Sequence, residues 1–177
     1  GNYPAFLAIC DQSFFETVLL RGLVTAGIKD LAELEEYFWD YAELVDDWCL
    51  CDTFCSSLKI VSKNQKHFLP MIETLIATQQ EFKVRIGLVL LLCYYVDAPY
   101  LELIFNYLRR IQSEAYYVQM AEAWLICEVF VKFPELAEKF LAERNLPKFV
   151  QNKAISKIRD SYRVDQMTKD RLVKYRI

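Results

Sequence analysis

The sequence predicts an all-α fold, an α-solenoid of stacked antiparallel helix pairs forming a single domain over residues 1–177. Three observations predict it. Phe14, Trp48, Phe82 and Tyr116 recur every 34 residues, each opening an apolar stretch, and Phe149 opens a fifth one residue early. Only four Gly and five Pro interrupt the chain, which disfavours β architecture and disorder alike. With 54% hydrophobic and 15% aromatic residues, the 177-residue chain has ample material for one core.

In chain order, Phe14 opens the second helix of a first pair. Ala32 to Val45 form the next first helix, and Trp48 opens its partner. Pro70 to Thr78 follow, with Pro70 placed as a helix starter. Phe82-Lys83-Val84-Arg85 and Tyr116-Tyr117-Val118-Gln119 stand in the same phase, and long apolar segments follow both. Between them Tyr100 to Ile111 supply a first helix. Pro134 starts the last first helix, to Glu143, and Phe149 opens its partner. One pair cannot bury both its faces, whereas stacked pairs share a continuous core and present a concave surface for binding. A tetratricopeptide array has the same period of about 34 residues, but its Trp, Leu-Gly, Tyr and Ala-x-x-x-Phe signature is absent from every unit, so HEAT-like pairs fit better.

The longest apolar run, Ile86 to Val96, has eleven residues. That is about half of a membrane span and predicts a buried core helix. Asn2-Tyr3-Pro4 lacks the basic start of a signal peptide, and no small-residue cleavage site follows. Gly1 stands where an initiator Met would, so upstream helices are left open. Cys49, Cys51, Cys55, Cys93 and Cys127 lie in predicted helices among apolar neighbours, as free thiols do, which predicts a reducing, cytoplasmic setting. Cys49, Cys51 and Cys55 with Asp52 and His67 have the wrong spacing for a zinc knuckle, and no metal or other cofactor is expected. Nothing suggests a coiled coil, and a monomer is expected.

The formal net charge of −3 hides an asymmetry. Residues 148–177 hold nine Lys or Arg against three Asp, a local +6; this leaves twelve bases against twenty-one acids, or −9, for residues 1–147. A basic end on a concave array could grip phosphates, or be an ordinary solvated helix.

On a helical wheel Asp52, Cys55 and Lys59 fall within about 40° of Trp48, while Leu50, Phe54, Leu58 and Val61 cluster opposite. An indole beside a carboxylate, turned from the core, suits a cationic or polar ligand. Arg85 is the only charge between Val84 and Val96. It stands in a first turn, where the helix dipole disfavours a cation, so it needs a partner. Asp52 or Asp97 could supply a structural ion pair. Trp124 shares a face with Tyr117, Met120 and Glu128, and Glu128 suggests that this face reaches solvent. All four residues, Trp48, Asp52, Arg85 and Trp124, belong to consecutive second helices, which a solenoid brings to its concave side.

Trp48-Cys49-Leu50-Cys51-Asp52, Arg85 at the head of the next apolar helix, and Ala123-Trp124-Leu125 together resemble the HEAT-like repeat DNA glycosylases of the bacterial DNA alkylation repair family. Cys51-Asp52-Thr53-Phe54-Cys55-Ser56-Ser57-Leu58-Lys59 and Asn152-Lys153-Ala154, with Lys157-Ile158-Arg159-Asp160-Ser161-Tyr162-Arg163, resemble its small Firmicute-type members. The resemblance covers nearly the whole chain and implies removal of cationic alkylated purines, such as 3-methyladenine or 7-methylguanine, from double-stranded DNA. It implies a catalytic set of Asp52, Trp48, Trp124 and Arg85. Asp52 would stabilise the positive charge that develops on the deoxyribose and orient water. The indoles would contact the sugar, and Arg85 would hold a phosphate. Phosphate contacts from Lys153, Lys157, Arg159 and Arg163 would join Arg85 in binding DNA.

Residues 1–50 depart from the family, with ten acids against Arg21 and Lys29, a net of −8 where a polyanion should lie. Two other functions therefore stay open: a non-catalytic HEAT-like module for protein or nucleic acid, and a fold in which Asp52 and Arg85 are an ion pair and both Trp residues are packing.

Overall fold

The computed structural model describes residues 3–9 and 11–177. Among the described residues all regular structure is helical: α1 Tyr3–Ile9, α2 Phe15–Ala26, α3 Leu31–Ala42, α4 Trp48–Ser57, α5 Gln65–Ala77, α6 Glu81–Tyr94, α7 Leu101–Arg110, α8 Tyr116–Lys132, α9 Pro134–Ala142, α10 Lys148–Asp160 and α11 Gln166–Leu172. Short 3-10 turns at Lys59–Lys63, Ala98–Tyr100 and Val173–Tyr175 complete the set. None of these helices is long and apolar enough to cross a membrane.

Aspartates fix several helix starts. Asp30 accepts from the Glu33 N–H at 2.9 Å, Asp47 from Cys49 at 2.7 Å and Asp165 from Thr168 at 2.9 Å, each satisfying a donor that the first turn leaves without a partner. Pro134 is at the first position of α9, as predicted. Pro70 is not a starter: α5 begins at Gln65 and runs through it. Phe68, Met71, Ile72 and Leu75 form one stripe, each at most 4% exposed, that spans the proline. Burying that stripe outweighs the roughly 3 kcal/mol that an interior proline costs a helix.

Contacts divide the chain into two compact units, Gly1–Leu90 and Leu91–Ile177. In the first, α2 packs on α3 and α4. Phe54 of α4 sits 5.5 Å from the Phe38 ring and 4.5 Å from the Tyr41 ring, and all three are at most 1% exposed. Gly22 permits this approach, since a Cβ there would lie 2.5 Å from Tyr41 Cζ and Oη. In the second unit, α8 packs along α10 and on α9, and Phe105 of α7 stacks on Phe140 of α9 at 4.5 Å.

The 34-residue beat reappears as ion pairs one repeat apart. Asp52 and Arg85 are 33 residues apart in the first unit. In the second, Arg109 and Glu143 are separated by 34, Glu128 and Arg163 by 35, and Glu138 and Arg171 by 33. The C-terminal end is more than a basic helix. After α10, the chain turns through α11 and docks back, with Asn152 Nδ2 donating to a main-chain carboxylate oxygen of Ile177 at 2.7 Å and Gln151 Nε2 to the Tyr175 carbonyl at 3.0 Å.

Candidate functional site

The Asp47 cap starts α4 so that Trp48 is its first residue, 49% exposed. One turn on, the Asp52 side chain keeps 19% of its surface open. Arg85 reaches it from α6 as a two-pronged fork: Nε donates to Oδ1 at 3.0 Å and Nη2 to Oδ2 at 2.7 Å. Its own side chain is 6% exposed, within a run buried from Val84 through Leu91. The choice the sequence left open falls on Asp52; Asp97 faces Lys132 at 3.6 Å. A fork of this geometry locks the carboxylate's rotamer and plane.

The helical wheel misplaced two members of the Trp48 face. Cys55 is fully buried and its thiol donates to the Ile86 carbonyl at 3.7 Å, because the α4–α6 contact covers that flank. Lys59 also leaves the face, since α4 ends at Ser57 and a 3-10 turn begins. Trp48 and Asp52 alone remain on the open side of α4 among the four.

On α8 in the second unit, Trp124 and Glu128 are the only partly exposed residues from Ala121 to Phe130, and Tyr117 and Met120 continue the same open stripe. Glu128 receives both prongs of Arg163, at 2.9 and 2.6 Å, so that guanidinium is committed within the protein. The other basic residues of α10 divide between two surfaces. Lys153 lines an open groove of about 520 Å³ with Lys148, Phe149, Asn152 and Ser156. Arg159 lines a smaller one, of about 220 Å³, while Lys157 is half-buried on the same helix.

One residue of this helix pair escaped the sequence reading. Glu122, two residues before Trp124, is fully buried, and neither carboxylate oxygen has a hydrogen-bond partner among the described residues. Burial pushes its carboxyl up to about 8. Its signal was the one that singled out Arg85, a lone charge within an apolar run. Cys49, Cys51, Cys55, Cys93 and Cys127 are free thiols, and among the described residues no group of three or more His, Cys, Asp or Glu could hold a metal ion.

Residues 14–158 match the family model of the DNA alkylation repair enzyme. The matched segment holds Trp48, Asp52, Arg85, Trp124, Lys153 and Lys157, and ends just before Arg159 and Arg163. No curated protein and no solved structure matches the chain. The family match spans far more than half of the sequence and contains the fork of Arg85 on Asp52 with its exposed indole; the chain belongs to the DNA alkylation repair enzyme family, and so to DNA repair.

Proposed function

We propose that the protein is a DNA N-glycosylase that hydrolyses the glycosidic bond of cationic alkylated purines, 3-methyladenine and 7-methylguanine, in duplex DNA, its helix pairs stacking as HEAT-like repeats. The observation that carries this is Asp52, oriented by the buried Arg85 fork and still open beside the exposed Trp48. A cationic purine departs as a neutral base, so the site needs no general acid. As the bond from C1′ to the base breaks, positive charge grows on the sugar, and a fixed carboxylate stabilises it more than water would. Water then adds to C1′ and its proton passes to solvent, with Asp52 orienting the attack. Trp48 offers its π face to the same cation. Arg85 takes the part of a positioning residue, because its fork is on Asp52; Lys153, Lys157 and Arg159 supply phosphate contacts.

The test is release of 7-methylguanine from methylated duplex DNA at low salt. Trp48→Ala removes an exposed ring without touching the ion pair, and it should cut release at least tenfold with an unchanged melting temperature. Asp52→Asn should abolish release. It should also lower stability by about 3 kcal/mol by leaving a buried Arg without its carboxylate, so it is assayed well below its own melting transition. Equal release by the parent and a folded Asp52→Asn variant would sink the proposal. The buried pair also favours a purely structural reading; under it, Asp52→Asn loses stability and the parent releases no base.

A further inference from the structure

The smaller groove at the C-terminal end gathers three basic side chains. It is lined by Ser156, Arg159 and Asp160 of α10, Gln166 and Lys169 of α11, and Arg176 beyond it, and encloses about 220 Å³. Three cations thus face a single side-chain carboxylate, with the main-chain carboxylate of Ile177 held by Asn152 beside Arg176. Elsewhere in this unit the arginines that approach one another's helices are neutralised: Arg109 forks onto Glu143, Arg163 onto Glu128 and Arg171 onto Glu138. The side chains of Arg159 and Lys169 make no ion pair or hydrogen bond among the described residues, and Arg159 Nε is buried without a partner. The acids that could have served them are engaged elsewhere. Asp170 accepts from Gln166 at 2.9 Å, Asp165 caps α11 through Thr168, and Glu138 holds Arg171.

Arg176 is set in place on purpose-built contacts. Its Nη2 donates to Ser156 Oγ at 2.8 Å, and the next residue is clasped by Asn152, which accepts from the Ile177 N–H at 3.1 Å and donates to an Ile177 carboxylate oxygen at 2.7 Å. Like charges held together in a groove repel, and a partly buried guanidinium with an unmet donor is costly. A tetrahedral oxyanion answers both, accepting from guanidinium and ammonium donors at once.

We propose that this groove is a phosphate-binding site, with Arg159, Lys169 and Arg176 as its donors and Asp160 as the carboxylate that tempers its affinity. The proposal does not depend on base release at Asp52. The phosphate can be a backbone phosphodiester of DNA or a free phosphate, and two measurements separate the sources.

Inorganic phosphate is titrated into the full chain at constant ionic strength, with amide and arginine Nε NMR shifts as the readout. The expected result is saturable shifts at Ser156, Arg159, Lys169 and Arg176, weakened at least fivefold by Lys169→Gln and by Arg159→Gln. Asp160→Asn, at an exposed position, should tighten phosphate. No saturable shift in the parent, or phosphate affinity unchanged in both Lys169→Gln and Asp160→Asn, would overturn the site. Binding of an undamaged duplex at several salt concentrations then names the source. A salt slope reduced by about 1 in Lys169→Gln assigns the groove to the DNA backbone. An unchanged slope with lost phosphate binding assigns it to free phosphate. Loss of phosphate binding in Lys169→Gln alongside normal 7-methylguanine release leaves the glycosylase reading intact, and phosphate binding by a parent that releases no base leaves this site intact.

Discussion

Arg85 in α6 and Glu122 in α8 are charged side chains in long apolar helices, and the two are treated differently by their surroundings. Arg85 has a carboxylate in place, with both oxygens of Asp52 taken by its fork. Glu122 is fully buried with both oxygens unbonded among the described residues. A buried carboxyl without a partner is held neutral, and its ionisation is pushed from 4.5 up to about 8. The unfolded chain releases that proton near 4.5 and the folded chain only near 8. Between those values the folded state therefore binds the extra proton, and stability falls as pH rises through the window, levelling above about 8. The span corresponds to a loss on the order of 5 kcal/mol. Glu122→Gln keeps the shape and cannot ionise, so urea unfolding should show a flatter profile from pH 5 to 8 and a variant more stable than the parent at pH 8. Parallel profiles for the two proteins would show that Glu122 is not the group responsible.

At the scale of the element, the starts of the second helices were the most legible feature. Aromatic residues at a fixed interval mark positions where a chain enters a core, and α4 and α8 begin at Trp48 and Tyr116 themselves, with α2, α6 and α10 within one residue of Phe14, Phe82 and Phe149. What escaped was set by contacts far away in sequence. The stripe that carries α5 through Pro70 depends on what Phe68 and Met71 meet, and the docking of the last residues depends on the side chain of Asn152. The candidate site divided the same way. Spacing was enough to bring Trp48, Asp52 and Arg85 to attention, but the burial of Cys55 follows from the α4–α6 contact and no wheel of one helix contains it. Gly22 shows the same dependence. Nothing local marks it as special, yet α2 meets α3 there, and an added Cβ would lie 2.5 Å from the fully buried Tyr41 ring. Gly22→Ala should lower stability by about 1–3 kcal/mol, the usual cost of overpacking. A melting temperature equal to or above that of the parent would mean that the ring has room to yield.

For the molecule as a whole, the acidic half counts for less against DNA than its formal charge suggests. Of the ten acids in residues 1–50, Asp30 and Asp47 cap helices, Asp11 accepts from the Ser13 N–H, and Glu33 accepts from the Tyr3 hydroxyl. Glu35 faces His67 at 3.4 Å, and Glu43 holds Lys83. Carboxylates at helix N-termini sit against the positive end of the dipole, which offsets their field locally. The basic end is discounted in turn, since Arg163 and Arg171 are matched by Glu128 and Glu138. Formal charge and available charge therefore diverge in both directions, and only a titration of binding against salt separates them. Each phosphate contact contributes about 0.9 to the slope of log affinity against log salt on B-DNA. Lys153, on the rim of the open groove, should give up about that much when changed to Ala. Arg163→Ala should leave the slope nearly as it is while lowering the melting temperature, because its guanidinium already serves Glu128. If Arg163→Ala instead reduced the slope as far as Lys153→Ala, the pair with Glu128 must open on DNA, and the count of available cations would have to include it.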